Sequence, residues 1–350
     1  MTPKIILDPH WRSLDELFAP EDLAALHDAY DLIWAQDGPM PADALAEALP
    51  EANALISTRL DLDAETLARA PSLKAVVEVS GAFPPTIDYA TCFARGIEVL
   101  SCAPGFRDAA AEMALAMALS GARGLVQEHE HFRTGGENWL MDNTATDFTL
   151  FGATVGFVGF GQIARRTAEL LAPFAPRILA HDPWLPPEIA AGYGIELVSL
   201  DEVMSRSRCL FVTAAPTASN RAMIGATEIA MMPQAALMVL VSRAHLVDFD
   251  AVVQAAAEDR IRAAIDVYPD EPLPPDHQLR QIPNVILSPH RAAAVARGRQ
   301  LIGRMIRHDL DALFADRPER QLQVADPDRI GELAISGDAK KVGAMAVDRG

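Results

Sequence analysis

The sequence predicts an α/β protein built from parallel β-sheets that are covered by helices on both faces. Short apolar runs alternate with amphipathic runs along most of the 350 residues, which is the order that repeated βαβ units produce. One such unit, residues 154–182, contains the glycines and the acidic residue of a dinucleotide-binding turn. Half of the residues are hydrophobic, and the chain is long enough for two domains, each with its own core.

The first α/β segment ends near residue 100 and contains no glycine fingerprint. Its short apolar runs predict strands at 4–8, 32–35, 52–57, 73–79 and 97–100. The intervening runs predict helices at 21–30, 41–49, 63–69 and 87–95. Pro41 suits the start of its helix, and Asp63 suits an N-cap. This segment therefore predicts a first α/β domain.

A long Ala/Leu/Met helix with an acidic first turn is predicted at 108–123, and it could carry the chain into a second domain. Residues 128–149 then lose apolar periodicity and are rich in His, Gly, Asn and Asp. We expect an extended arm or loop there, of the kind that packs on a partner subunit. A mobile flap over an active site is the alternative.

The dinucleotide unit begins with a buried strand at 154–158 and continues with a helix at 162–174 and a second strand at 177–180. Gly159 allows a sharp turn, and Gly161 allows the backbone to approach a pyrophosphate. The helix N-terminus, at Gln162 and Ile163, offers unpaired N–H groups and a positive dipole end to that phosphate. Ala164 replaces the third glycine, since a methyl group still permits close packing of helix and strand.

Asp182 lies about 20 residues beyond the second glycine, where a carboxylate accepts hydrogen bonds from an adenosine ribose. Its charge would repel a 2′-phosphate, so the unit favours NAD over NADP. The alternative is a glycine-rich βα turn that binds nothing.

The remaining chain repeats the same alternation. We expect strands at 209–213, 236–241, 263–267 and 284–287, and helices at 200–207, 226–232, 248–259 and 292–314. Residues 331–350 contain few large apolar side chains, and we expect a loose C-terminal tail.

Three ionisable residues follow strands of this second segment, where ligands of open α/β sheets bind. Arg243 can hold a carboxylate, His290 can exchange a proton near neutral pH, and Glu271 would favour the protonated form of that histidine. These groups are the ones needed to reduce a 2-oxo acid with a hydride. Taken singly, each could instead be a solvated or structural residue.

Composition limits the other possibilities. The formal net charge is −18, which argues against nucleic acid as a partner, and an anionic substrate would need a local cationic pocket. Three cysteines, Cys92, Cys102 and Cys209, predict free thiols in a reducing cytoplasm. We expect no signal peptide, no membrane span and no metal site.

Ordered segments between residues 76 and 314 resemble the D-isomer-specific 2-hydroxyacid dehydrogenases. VGFVGFGQIARRTA resembles the nucleotide loop of that family, and HDPWLP resembles its acidic strand end. VLVSRAHLVDFDAV resembles the segment with the substrate-binding arginine, at Arg243. AAIDVYPDEPLP and VILSPHRAA resemble the segments with the glutamate, at Glu271, and the proton-transferring histidine, at His290.

The resemblance implies two Rossmann-like or flavodoxin-like domains. A discontinuous substrate domain would comprise residues 1–122 and 292–330, and an inserted NAD-binding domain would comprise residues 123–291. It also implies a homodimer and a cleft that closes over NAD and a small 2-oxo or 2-hydroxy acid.

The resemblance assigns further residues to ligands. Pro216, in TAAPTASN, and Asp266 would contact the cofactor, with Asp266 near the nicotinamide carboxamide. Backbone N–H groups of Ser80–Ala82, including those of Gly81 and Ala82, would bind the substrate carboxylate.

Several positions depart from the family pattern. The loop SGAFPPTID contains two prolines, and Ala244 and His245 follow the arginine. Arg291 stands where isoleucine is commoner, and it indicates a second anionic group on the substrate. Alternatively, Arg291 pairs with an acidic neighbour or faces solvent.

Two other functions are compatible with such a fold. An NAD(H)-sensing binding protein, similar to the family's corepressors, would retain cofactor binding with little turnover. A formate dehydrogenase is disfavoured, because that branch has glutamine where Glu271 stands.

Overall fold

The structure is a computed structural model that describes residues 2–137, 139–143, 146–295 and 297–334. The chain forms two compact units, Met1–Arg107 with Ala294–Gly350, and Asp108–Ala293. The first unit is discontinuous in sequence and the second is inserted into it. The α/β class and this inserted arrangement confirm the predicted fold.

The strands agree with most of the predicted apolar runs. They are β1 (Lys4–Asp8), β2 (Asp31–Trp34), β3 (Ala54–Ser57), β4 (Ala75–Glu78), β5 (Glu98–Ser101), β6 (Thr154–Val158), β7 (Arg177–His181), β8 (Glu196–Leu197), β9 (Cys209–Val212), β10 (Ala236–Leu240), β11 (Ile261–Ile265), β12 (Val285–Leu287) and β13 (Gln323–Val324).

The helices lie mainly between these strands. They are α1 (Leu14–Leu17), α2 (Pro20–Ala29), α3 (Ala42–Ala48), α4 (Ala64–Ala68), α5 (Tyr89–Ala94), α6 (Arg107–Ala122), α7 (Leu125–Thr134), α8 (Gln162–Leu171), α9 (Pro187–Gly192), α10 (Leu200–Arg206), α11 (Ala226–Met231), α12 (Phe249–Ala257), α13 (Gln300–Phe314) and α14 (Ile330–Leu333).

The first unit contains a six-stranded sheet in the order β13-β5-β4-β3-β1-β2. Its strands are parallel except β13, which pairs antiparallel with β5. Successive residues of β4 face opposite apolar clusters, Val76 on one side and Val77 on the other. Because β1, β3 and β4 are parallel, their carboxyl ends lie at one edge of the sheet.

The second unit contains a seven-stranded, fully parallel sheet in the order β12-β11-β10-β9-β6-β7-β8. Both faces are buried, since Met238 and Val239, adjacent in β10, belong to different core clusters. Stacked rings of Phe157 and Phe211, with centroids 5.0 Å apart, join β6 to β9 on one face. This is the covered parallel sheet that the sequence predicts.

The sequence places domain boundaries after residues 122 and 291, whereas the compact units divide after Arg107 and Ala293. The difference concerns α6. Its Gly121 faces β10 so closely that an added Cβ would lie 2.6 Å from Leu237 Cδ2. Ala114 and Met117 join the same core cluster as Leu237. Helix α6 therefore packs within the second unit.

Two predicted segments are wrong in detail. Residues 125–134 form helix α7 rather than an extended arm, and no residue of that helix is buried. A helix without a buried residue needs no apolar stripe, which explains the missing periodicity. The helix predicted at 292–314 begins only at Gln300, because Arg297 adopts a positive φ of 61°.

Part of the predicted C-terminal tail is ordered. Ile330 begins α14 and is buried, and Leu333 packs against the same cluster. The rest of that tail, residues 335–350, lies outside the described residues. Within the described chain, no single helix has the length and apolar character to cross a membrane, although the bent pair Ala103–Ala122 and Leu125–Thr134 passes the same test together.

Gly303 offers a test of packing in the first unit. A Cβ at this helical position would lie 2.6 Å from the carbonyl oxygen of Leu17 and 2.9 Å from Phe18 Cα. We expect Gly303→Ala to destabilise the protein by about 1–3 kcal/mol, because backbone must move to admit the methyl group. The measurement is the urea midpoint.

Gly331→Ala is the matched control. Gly331 is also helical, but no neighbouring atom lies within 4 Å of an added Cβ. This change should leave the midpoint unchanged or raise stability by up to about 1 kcal/mol. Equal effects of the two substitutions would contradict the packing described here.

Candidate active site

The turn between β6 and α8 has the geometry of a phosphate-binding loop. Gly159 adopts a φ of +83°, and a Cβ there would lie 2.3 Å from Ala214 Cα, so only glycine fits. Gly161 is different, because no atom lies within 4 Å of its Cβ position. Gly159 thus makes the turn, and Gly161 leaves open space in front of the first amides of α8, including those of Gln162 and Ile163.

Asp182 follows β7 and stabilises this turn through hydrogen bonds. Its Oδ2 accepts the Phe160 N–H at 2.8 Å, and its Oδ1 accepts the Trp184 N–H at 2.9 Å. A carboxylate has about four acceptor positions. Asp182 is only partly buried, so the remaining lone pairs can receive ribose hydroxyls.

The segment after β9 forms a further wall of the turn. Thr213 Oγ1 donates to the Gly159 carbonyl at 2.7 Å, and Ala214 contacts Gly159. Pro216 lies two residues further along this segment. The open glycine turn, the helix N-terminus and Asp182 together fit a nicotinamide dinucleotide.

The three ionisable residues singled out in the sequence follow adjacent strands. Arg243 follows β10, Glu271 follows β11, and His290 follows β12. Glu271 Oε2 lies 2.6 Å from His290 Nδ1, and Glu271 Oε1 accepts the Tyr268 N–H at 3.0 Å. Since an ionised carboxylate only accepts, Nδ1 carries a proton and Nε2 is the ring nitrogen on the opposite side.

The charges in this group support one another. Burial raises the pKa of Glu271, but hydrogen bonds from His290 and from the Tyr268 N–H, with the positive charges of His290 and Arg243, hold this pKa below its ordinary value. Glu271 therefore stays ionised at neutral pH. The Arg243 guanidinium also donates to the Ser242 carbonyl at 2.7 Å.

Asp266 determines the shape of the His290 loop. This residue is fully buried, and its carboxylate accepts the N–H groups of Arg291 and Ala292 at 2.8 and 2.9 Å. Ser288 Oγ donates to the same carboxylate, while the His290 N–H donates to the Asp266 carbonyl at 2.8 Å. His290 is held at a φ of +51°. The amides of residues 291 and 292 thus donate to Asp266. This is a second reason why α13 begins at Gln300 and not at the predicted residue 292.

The backbone N–H groups of Gly81 and Ala82 donate hydrogen bonds to a side chain of the protein. Both donate to Glu78 Oε2 at 2.8 Å, and the Ser80 N–H donates to Glu78 Oε1 at 2.7 Å. Glu78 is 2% exposed, and burial raises its pKa although these hydrogen bonds lower it. In this structure the amides of residues 80–82 bind the protein's own carboxylate, and the assignment of Gly81 and Ala82 to the substrate stays a prediction.

Arg291 has an exposed side chain, and no ion pair of its guanidinium occurs within the described part of the chain. Its backbone N–H donates to the Asp266 carboxylate.

Sequence reasoning missed the roles of Tyr268, Ser288 and Glu78 in these loops. The available signal was a polar residue at or within three residues of the end of a strand.

Comparison with known proteins agrees with this geometry. Residues 115–292 match the family model described as D-isomer specific 2-hydroxyacid dehydrogenase, NAD binding domain, and this range is more than half of the 350 residues. The chain belongs to the D-isomer specific 2-hydroxyacid dehydrogenase family. The matched range coincides closely with the second unit, which is thereby the NAD-binding domain of the family.

Relatives cover nearly the whole chain. A glyoxylate reductase of Aeropyrum pernix is 33% identical over 84% of this chain and 89% of its own length. A D-3-phosphoglycerate dehydrogenase of Mycobacterium bovis is 33% identical over 81% of this chain, which spans only 53% of that protein. The crystal structure of a phosphoglycerate oxidoreductase from Rhizobium etli superposes with a TM-score of 0.82 at 35% identity, covering 93% of this chain and 98% of that one.

The cofactor preference can be tested at Asp182. We expect Asp182→Asn to narrow the difference between the Kd values of NADH and NADPH by about tenfold, since one charge is removed while an acceptor for the Phe160 N–H remains. Fluorescence titration measures both constants. Wild-type protein that binds the two cofactors equally would contradict the NAD assignment.

Proposed function

We propose that the protein is an NAD-dependent oxidoreductase that transfers a hydride between NAD(H) and a D-2-hydroxy acid/2-oxo acid pair. The observation that carries this proposal is the hydrogen bond between Glu271 and His290, which follow adjacent strands of the NAD-binding domain. Arg243 follows the next strand of the same sheet. These groups provide a proton donor, its charged partner and an anion ligand at one sheet edge.

Each residue has a separate task in the reduction. Arg243 binds the substrate carboxylate and orients the ketone, because its planar guanidinium matches a carboxylate. Reduced nicotinamide, when bound, supplies the hydride to C2 of the 2-oxo acid. His290 Nε2 gives its proton to the carbonyl oxygen as the C–O double bond becomes single, so no alkoxide accumulates. Glu271 holds the imidazole through Nδ1 and stabilises its cationic form.

Other residues position these groups and the cofactor. We assign Gly159, Gly161 and the first amides of α8 to the pyrophosphate and Asp182 to the ribose. Pro216 and Asp266 belong to the segments that would line the nicotinamide half.

Glu271→Gln tests whether the reaction needs the negative charge of Glu271 beside His290, the proposed proton donor. The substitution keeps a hydrogen-bonding side chain but removes the negative charge beside His290. We expect kcat/KM for reduction to fall at least about 10²-fold.

The pH profile is measured with glyoxylate, and NADH binding is titrated in parallel. NADH affinity should not change, since Glu271 does not contribute to the glycine turn. His290→Asn should reduce turnover by a similar factor and abolish the alkaline limb. A profile for His290→Asn that superposes on wild type would disprove the assignment of the proton donor.

We propose that the protein is a homodimer. Helix α7 and the segment after it expose large apolar side chains, including Leu125 at 61%, Phe132 at 59% and Trp139 at 72%. Apolar patches of this kind mark protein interfaces. We also propose a cytoplasmic location, because Cys92, Cys102 and Cys209 are free, buried thiols.

Sedimentation velocity tests the oligomeric state. We expect wild type to sediment as a dimer and Phe132→Glu to sediment as a monomer, because a charge buried in an apolar interface has no partner. Val324→Glu, on a 44% exposed residue of β13 in the first unit, is the control and should remain dimeric. A monomeric wild type would exclude the proposed dimer.

A further inference from the structure

The two arginines of helix α8, Arg165 and Arg166, lie near the start of the helix and have different surroundings. Arg166 is paired with carboxylates, since its Nε lies 3.1 Å from Asp108 Oδ1 and its Nη1 lies 2.8 Å from Glu169 Oε2. The hydrogen bond to Glu169 and the negative charge of Asp108 raise the pKa of Arg166. The charge of this arginine is therefore already matched within the second unit.

Arg165 is bound in a different way. Its Nε donates to the carbonyl oxygen of Phe160 at 3.1 Å, and its side chain is partly buried. Among the residues that the structure describes, no carboxylate forms an ion pair with this guanidinium. A guanidinium group has five N–H donors, so four remain for a ligand beside the one that Phe160 accepts. Arg165 is thus a fixed cation without a matched anion.

The hydrogen bond to Phe160 places the Arg165 guanidinium at the glycine turn. Phe160 is the residue between Gly159 and Gly161, and its N–H donates to Asp182 Oδ2 at 2.8 Å. Arg165 and Asp182 therefore hold the two backbone polar groups of one turn residue. No atom lies within 4 Å of the Cβ position of Gly161, so the space in front of the turn is open to a ligand.

The pyrophosphate of a dinucleotide brings two negative charges to this turn. The amides at the N-terminus of α8 supply hydrogen bonds and a partial positive charge of about half an elementary charge. The side chains of residues 162–164 are uncharged, and Arg165 is the first cation of the helix. The carboxylate of Asp182 and the net charge of −18 add negative potential. A full positive charge beside the turn offsets the repulsion that the phosphates would otherwise meet.

We propose that Arg165 binds the pyrophosphate of the dinucleotide through the N–H groups that Phe160 does not accept. A guanidinium group matches phosphate oxygens in geometry as well as in charge, and the bond to Phe160 restricts its orientation before the cofactor arrives. The inference rests on the proposed function in one respect, the assignment of the glycine turn to the pyrophosphate. Arg166, whose charge is matched by two carboxylates, takes no part.

The test compares ligands with and without the pyrophosphate. NADH, NADPH and ADP-ribose contain it, whereas adenosine contains the ribose assigned to Asp182 but no phosphate. We expect Arg165→Gln to raise the Kd of NADH and of ADP-ribose by about tenfold or more, because a charge-assisted contact with phosphate is lost. The Kd of adenosine should change by less than about twofold. Fluorescence titration measures NADH and NADPH, and displacement of NADH measures the other two ligands.

Arg166→Gln is the matched control, since it removes the same charge from the next residue of the same helix. It should change the Kd of NADH by less than about twofold. The urea midpoint of each variant, measured without cofactor, shows whether the fold is intact. If Arg165→Gln is unfolded at the assay temperature, the lysine variants decide the question. Arg165→Lys keeps the charge but lacks the planar fork, so it should weaken NADH binding by about threefold, whereas Arg166→Lys should not.

Three results would overturn the inference. A loss of affinity for NADPH alone, with NADH and ADP-ribose unchanged, would place Arg165 at the 2′-phosphate instead. An equal loss for adenosine would mean that Arg165 only shapes the turn through Phe160. Equal losses in Arg165→Gln and Arg166→Gln would reflect the net charge of the helix and not a contact with phosphate.

Because these measurements need no turnover, failure of the inference differs from failure of the proposed function. A protein that shows the expected Kd values but reduces no 2-oxo acid would lack the proposed activity and keep Arg165 as a phosphate ligand. A protein that reduces glyoxylate with NADH, while Arg165→Gln binds NADH as tightly as wild type, would retain the proposed function and refute this inference alone.

Discussion

The loop that carries His290 depends on one buried carboxylate. Asp266 is fully inaccessible to solvent, and it lies directly after β11. In the sheet, β11 lies between β10 and β12. Its oxygens accept the amides of residues 291 and 292, so the chain turns back over the sheet edge instead of entering a helix. A buried charge is tolerated only when its hydrogen bonds are satisfied, and here the backbone satisfies them. The position of the imidazole beside Glu271 follows from this arrangement.

The same construction recurs at other strand ends. Asp8, the last residue of β1, accepts the amides of His10 and Met40, and Glu78, the last residue of β4, accepts three amides of the loop that follows it. Asp182, after β7, holds the glycine turn. Each carboxylate satisfies backbone donors that a tight loop cannot pair with itself. Part of the acidic excess of this chain is therefore structural, and it lies at the sheet edges where anionic ligands would be expected.

This arrangement explains why cationic side chains matter at these edges. In the second unit Arg243 acts beside Glu271, and in the first unit Arg12 lies near Glu78. In the first unit the amides of residues 80–82 donate to Glu78. Guanidinium groups keep their charge at neutral pH, and their geometry matches carboxylates and phosphates.

The sequence alone determined the α/β class, the strands and the dinucleotide turn, because apolar periodicity and glycine positions are local properties of the chain. It also singled out Arg243, Glu271 and His290 as strand-end residues, although their roles stay predictions. Only the tertiary structure decided that Glu78 binds the amides of residues 80–82, that α7 is an exposed helix, and that Arg166 rather than Arg165 meets Asp108. Those outcomes depend on contacts between segments distant in sequence, or on the absence of a buried face. Neither leaves a periodic signal in the chain.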